Sequence, residues 1–110
     1  MLDCLDAEKL AEFWAPALGW KRLGADGQYV VVGTGDRKQH ELLLQQVTEP
    51  KAGKNRMHID LRSDDMDGEV ARLLALGATR LSDTFDECNC RWVVLADPEG
   101  NEFCVCTEMS

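Results

Sequence analysis

The sequence predicts an α+β protein: two tandem βαβββ modules whose strands form a curved, mostly antiparallel sheet with the helices on the outside. Three observations carry this reading. Two amphipathic helical segments each end at a Leu-Gly pair, and each is followed by three strand-like runs. The two halves also repeat each other locally. "LGWKRL" at 18–23 answers "LGATRL" at 76–81, and "QYVVV" at 28–32 answers "RWVVL" at 91–95. One such module cannot bury both its helix face and its sheet face, so two copies are expected to combine.

The elements follow in order. After a short "LDC" strand, Asp6 is placed to cap a helix, Leu10, Phe13, Trp14, Ala17 and Leu18 recur at helical spacing, and Gly19 is a stop signal. Pro16 is expected to weaken or end the last turn. Trp14 and Trp20 read as core or helix-packing residues. "KRL", the β-branched "QYVVVG" and "HELLLQQV" then read as strands, bounded by Pro50 and Gly53. The second half gives "MHIDLR" as a strand, "DDMDGEVARLLALG" as a helix, and "ATRL", "CRWVVLA" and "NEFCVC" as strands. This divides one domain, 1–110, into a first module at 1–49, a linker at 50–56 and a second module at 57–110.

Composition narrows the function. At 110 residues and 45% hydrophobic content the chain suits one compact core. A net charge of -8 disfavours nucleic acid and anionic lipid as partners and suits a cationic ligand. No basic head precedes an apolar run at the start, and no stretch is long enough to span a bilayer, so a cytoplasmic protein with no membrane partner is expected. Five cysteines without CxxC spacing read as free thiols.

Strand alternation divides "MHIDLR" into Met57, Ile59 and Leu61, expected to face the helix, and His58, Asp60 and Arg62 on the other face. That second face is either solvent-exposed or the lining of a concavity. The turn "DPEG", with Pro at its second position and Gly placed for a left-handed bulge, sets the register of the closing hairpin. Ala96 then lies opposite Glu102, Val94 opposite Cys104 and Trp92 opposite Cys106, with Cys90 at the far end of the same face. Phe103, Val105, Val93 and Leu95 fall on the helix-packed side. A face mixing Trp92, Glu102 and two thiols suits the lining of a small-ligand site. Cysteines two apart on a strand make poor chelators of zinc and read as small, half-buried residues.

The stretches "LDCLDAEKLAEFWAPALGW", "GKNRMHIDL", "LGATRL" and "WVVLADPEGNEFCV" resemble the glyoxalase-like domains of the vicinal oxygen chelate superfamily. That superfamily also holds glyoxalase I, extradiol dioxygenases, and fosfomycin and bleomycin resistance proteins. The resemblance implies a small-molecule site in the concavity and, in metal-dependent members, a divalent ion held by the first and last strands of each module. His58 matches one ligand position, and Gln45, or Gln46 with the register slipped by one, matches another. The last-strand position, four residues after Gly100, is Cys104; Glu102 falls two residues early. The first ligand would precede the "DAEKL" helix by several residues, where Asp3 is the nearest inward-facing candidate in a chain starting at Met1.

Two functions follow. In the first, the chain is a binding protein of bleomycin-resistance type without a complete metal site, its ligand contacted by Asp3, Gln45, His58, Asp60, Trp92, Glu102 and Cys104. In the second it is a metal-dependent lyase, isomerase or dioxygenase, with His58 and Gln45 as ligands to a divalent metal ion and Glu102 or Asp60 as the base. A third reading leaves no pocket chemistry, with Glu102 capping its hairpin or pairing with Lys54 or Arg56. The resemblance also implies a homodimer. Whether the chain is an enzyme stays open at this stage.

Overall fold

A computed structural model describes residues 1–36, 39–55, 59–87 and 90–108. The chain divides into two compact units, 1–52 and 53–110. Hydrogen bonding gives each unit its own mixed, mostly antiparallel sheet, of four strands in the first and five in the second. No helix among the described residues is long and apolar enough to cross a membrane.

In the first unit, β1 (Leu2–Cys4) leads into α1 (Ala7–Leu18), followed by β2 (Lys21–Asp26), β3 (Tyr29–Gly33) and β4 (Leu42–Gln46). The sheet order is β1-β4-β3-β2, with β1 parallel to β4 and the other pairs antiparallel. Asp6 caps α1 by accepting a hydrogen bond from the Lys9 amide, which would otherwise have no partner in the first turn. The helix buries Leu10, Phe13, Trp14 and Ala17 over Val30, Val32 and Leu44, and Cys4 of β1 is buried too. Phe13 and Trp14 meet edge to face at 5.1 Å. Each fully buried large side chain of this set contributes roughly 1.5–3 kcal/mol, so the alternation of β3 and β4 decides which sheet face the helix covers.

Pro16 does not end the helix. α1 continues through it to Leu18, because a proline here costs one ladder bond and the exit is held by other means. The Gly19 amide bonds the Pro16 carbonyl and the Trp20 amide bonds the Ala15 carbonyl, the paired closure of a helix that stops at a left-handed residue. Trp20, just past this exit, is half-buried.

The second unit has β5 (Ile59–Arg62), α2 (Met66–Leu76), β6 (Thr79–Arg80), β7 (Phe85–Glu87), β8 (Cys90–Ala96) and β9 (Glu102–Glu108). Asp65 caps α2 through the Gly68 amide, and Gly77 and Ala78 close it onto the Leu74 and Leu73 carbonyls, repeating the first helix's exit. Met66, Val70 and Leu73 of α2 are buried, as are Val93, Leu95, Phe103 and Val105, with α2 packed on β9. The hairpin register is as expected at all three pairs: Ala96 with Glu102, Val94 with Cys104 and Trp92 with Cys106.

Two details differ from the sequence reading. β7 is an additional strand, pairing Phe85 with Trp92; "ATRL" shrinks to a two-residue β6, and β6 and β7 share the edge of β8 that β2 alone takes on β3. Ile59 follows the helix-side alternation, level with Phe103, yet is 39% exposed, because it opens the edge strand β5.

Candidate functional site

The turn that sets the hairpin is built from Asp97, a carboxylate only 2% exposed. Its Oδ1 accepts from the Glu99 and Asn101 amides, each at 2.9 Å, and the Asn101 side chain donates to both carboxylate oxygens. The Gly100 amide closes the turn on the Asp97 carbonyl at 2.9 Å, with Gly100 at φ 86. A carboxylate buried this deeply is tolerated because its acceptor sites are filled. The locked turn fixes which residues of β8 and β9 face away from the helix.

Those residues line a pocket of about 260 Å³: Asp60 and Arg62 from β5, Cys104 and Cys106 from β9, Cys90 and Trp92 from β8. The registers explain the grouping. Asp60 lies level with Cys104 and Arg62 with Cys106, while Trp92 faces Cys106 from the other side. Phe85 of β7 lies against Trp92, ring centres 5.4 Å apart and planes inclined by 31°. The lining thus offers an aromatic surface, three thiols and one charge of each sign.

Burial pushes the Cys104 thiol above its usual value of 9.0; the negative charge of Asp60 adds to this, as do Cys106 and a hydrogen bond with Asp60, while Lys54 pulls the other way. Near neutral pH Cys104 is therefore a protonated thiol rather than a thiolate.

Glu102, on the same strand, is held by Lys54 and Asn55. Its Oε2 takes a hydrogen bond from Lys54 Nζ at 2.9 Å, its Oε1 one from the Asn55 amide at 3.3 Å, and its carbonyl one from the Asn55 side chain at 3.1 Å. The carboxylate is 14% exposed and does not line the pocket. Its pairing with Lys54 ties β9 to the segment that precedes β5.

In the first unit, Gln45 lies level with Asp3 on one side and Tyr29 on the other, and its side-chain amide donates to the Tyr29 hydroxyl at 3.4 Å. Gln46 points the other way, accepting from the Ala7 amide at 3.3 Å, which places Gln45 and not Gln46 on the face away from the helix. Tyr29 also lines a wide groove of about 700 Å³ with Leu23, Asp26, Val31 and Glu41.

Matching Tyr29 to Trp92 aligns the modules. Gln45 then corresponds to Cys106 and Asp3 to Arg62, because each trio lies level across its sheet. The counterpart of Cys104 is Leu43, opposite Val31 as Cys104 is opposite Val94. His58 lies outside the described residues. Among the described residues, no three His, Cys, Asp or Glu side chains converge to hold a metal ion. In the second unit, a thiol that holds its proton and a carboxylate paired with Lys54 fit a hard, oxygen-preferring divalent ion poorly.

Sequence reasoning passed over Arg62 and Cys106 as site residues, although the alternation it used puts both on this face. It missed Phe85 altogether, since "SDTFDECNC" carries no strand period beyond three residues.

Two units, each of a strand, a helix and the strands that follow, with a half-polar pocket on the second sheet's face away from its helix, define the glyoxalase-like fold. The chain belongs to the glyoxalase-like domain family, whose sequence pattern matches residues 1–106. It is similar in fold to a glyoxalase/bleomycin resistance protein/dioxygenase family enzyme from Burkholderia phytofirmans PsJN, with 16% identity, 98% of this chain and 94% of that one covered, and a TM-score of 0.79. A glyoxalase/bleomycin resistance protein/dioxygenase from Nocardioides gives 18% identity, 99% and 80% coverage and a TM-score of 0.76. A superfamily member from Sphaerobacter thermophilus gives 20% identity, 97% and 92% coverage and 0.67. None of the curated proteins compared with the chain matches it.

Proposed function

We propose that this chain is a small-molecule binding protein of the bleomycin-resistance type that works without a metal ion. The observation that carries the reading is Trp92, half-buried in a pocket of about 260 Å³ and braced by Phe85. An indole held by a neighbouring ring presents a flat surface to a planar ligand, and stacking a cation on it contributes about 0.5–2 kcal/mol depending on desolvation. Asp60 supplies a carboxylate for a cationic group and Arg62 a fork of donors for an acceptor on the same ligand. The net charge of -8 raises the local concentration of cationic ligands. The protonated Cys104 supports a site that does not depend on a hard divalent ion.

Equilibrium dialysis in the presence of a chelator, against bleomycin and a set of planar aromatic cations, tests this. Binding at micromolar concentration, unchanged by the chelator and weakened in W92A, is expected. No binding to any of these compounds, or binding that the chelator abolishes, overturns the reading.

A further inference from the structure

We infer that Cys104 is a positioning residue for Asp60, holding its carboxylate in the pocket so that the site's preference for a cationic ligand depends on this thiol. This rests on the binding reading and deepens it: the selection of charge is assigned to one pair of side chains.

Register makes the pair. Asp60 of β5 and Cys104 of β9 lie level on neighbouring parallel strands, so both side chains leave the sheet on one face, and both line the pocket. The half-buried Cys104 thiol is hydrogen-bonded to the Asp60 carboxylate, which is exposed. An ionised carboxylate only accepts, so the S–H is the donor.

The kind of donor matters. An exposed aspartate on an edge strand such as β5 spreads over several rotamers, and each one that the hydrogen bond removes is one that a ligand does not have to freeze on binding. A thiol is a weak, neutral donor, so it orients the carboxylate without cancelling its charge. Glu102, two residues from Cys104 on β9, shows the opposite case: the Lys54 ammonium holds its carboxylate at 2.9 Å, and it stands outside the pocket lining. Arg62, two residues from Asp60 and level with Cys106, brings a positive charge into the same pocket. The direction in which Asp60 is held therefore decides how much of its charge a ligand meets.

The test compares two probes of nearly one shape, the cation N-methylquinolinium and quinoline, which is uncharged at neutral pH, by equilibrium dialysis in chelator. The ratio of their affinities is the readout, because a loss of stability or pocket shape weakens both together. The native protein should favour the cation, and D60N should lower the ratio by roughly twofold to fivefold, the worth of an exposed ion pair. C104A should lower it in the same direction, C104S, which keeps a donor, should restore most of it, and C104A should change nothing further in a D60N background, since the two residues act as one unit. A native ratio in C104A, no recovery in C104S, or an equal drop in the D60N background overturns the inference and leaves the binding reading standing. No binding of either probe by the native protein overturns both. The infrared S–H stretch, recorded without ligand, gives a second reading: the component that C104S removes should lie at lower frequency in the native protein than in D60A, and an unmoved band contradicts the hydrogen bond on which the positioning depends.

Discussion

Glu102 and Lys54 close a 2.9 Å salt bridge that ties the segment entering the second module to its last strand, with Asn55 completing the clasp through its amide and its side chain. Lys54 is 74% exposed, so the ion pair itself is worth about 0–1 kcal/mol. Losing the Glu102 carboxylate also strands the Asn55 amide, adding about 1 kcal/mol. E102A should therefore destabilise more than K54A in urea unfolding, while E102Q, which keeps an acceptor, should fall between them. All three should bind a planar ligand as the native protein does, because Glu102 stands outside the pocket lining.

Asp97 is the residue on which the hairpin register depends. D97A removes the acceptor for two backbone amides and the Asn101 side chain and should cost about 1–3 kcal/mol. D97N keeps the oxygen facing those amides and should recover most of that loss. Guanidinium unfolding of the two variants side by side measures the difference; equal destabilisation would mean that the charge, and not the amide contacts, holds the turn.

The two helix exits are sequence repeats with different backbone demands. Gly19 sits at φ 69 with open space around it, whereas Gly77 sits at φ 120 with Pro98 Cγ 3.5 Å from where a Cβ would be. A side chain tolerates the first conformation at about 1 kcal/mol and the second only with greater strain. G77A should lower the thermal midpoint more than G19A, and Asn, which tolerates the left-handed region, should rescue position 19 better than 77.

Cys104 links pH to stability in one direction. Its folded thiol holds its proton to a higher pH than the ordinary 9.0. Below the unfolded value both states are protonated and the thiol adds no pH dependence. As pH rises past it the unfolded state ionises first, and stability falls until the folded thiol also ionises. C104S should remove this part of the alkaline loss. Alkylation of Cys104, followed by peptide mass, should have its midpoint above 9.0 in the folded protein and at a lower pH in denaturant.

The fold was legible because its determinants are local. Asp6, Asp65, Gly19, Gly77 and "DPEG" act within a few residues of themselves, and alternation in "RWVVL" and "NEFCV" fixes the buried face. The errors came from context. Pro16 was expected to weaken or end the last turn, and α1 runs two residues past it because the exit is held by amides beyond it; β7 was missed because its pairing with β8 is set by the strand opposite and not by its own pattern. The site was half legible for a similar reason. Trp92, Cys104 and Asp60 follow from register, but only a contact 48 residues away in sequence shows that Glu102 is committed to Lys54. Likewise, only the paired registers of both modules show that Leu43, and not Gln45, is the counterpart of Cys104.

Tryptophan fluorescence tests the central proposal most directly, since Trp92 is one of three tryptophans and the only one in the pocket lining described. Titration of native protein and W92F with a planar aromatic cation, in chelator, should quench the native signal saturably at micromolar concentration and leave W92F, still carrying Trp14 and Trp20, without saturable quenching. Equal saturable quenching in both proteins, or none in the native one, would contradict a ligand site built on Trp92.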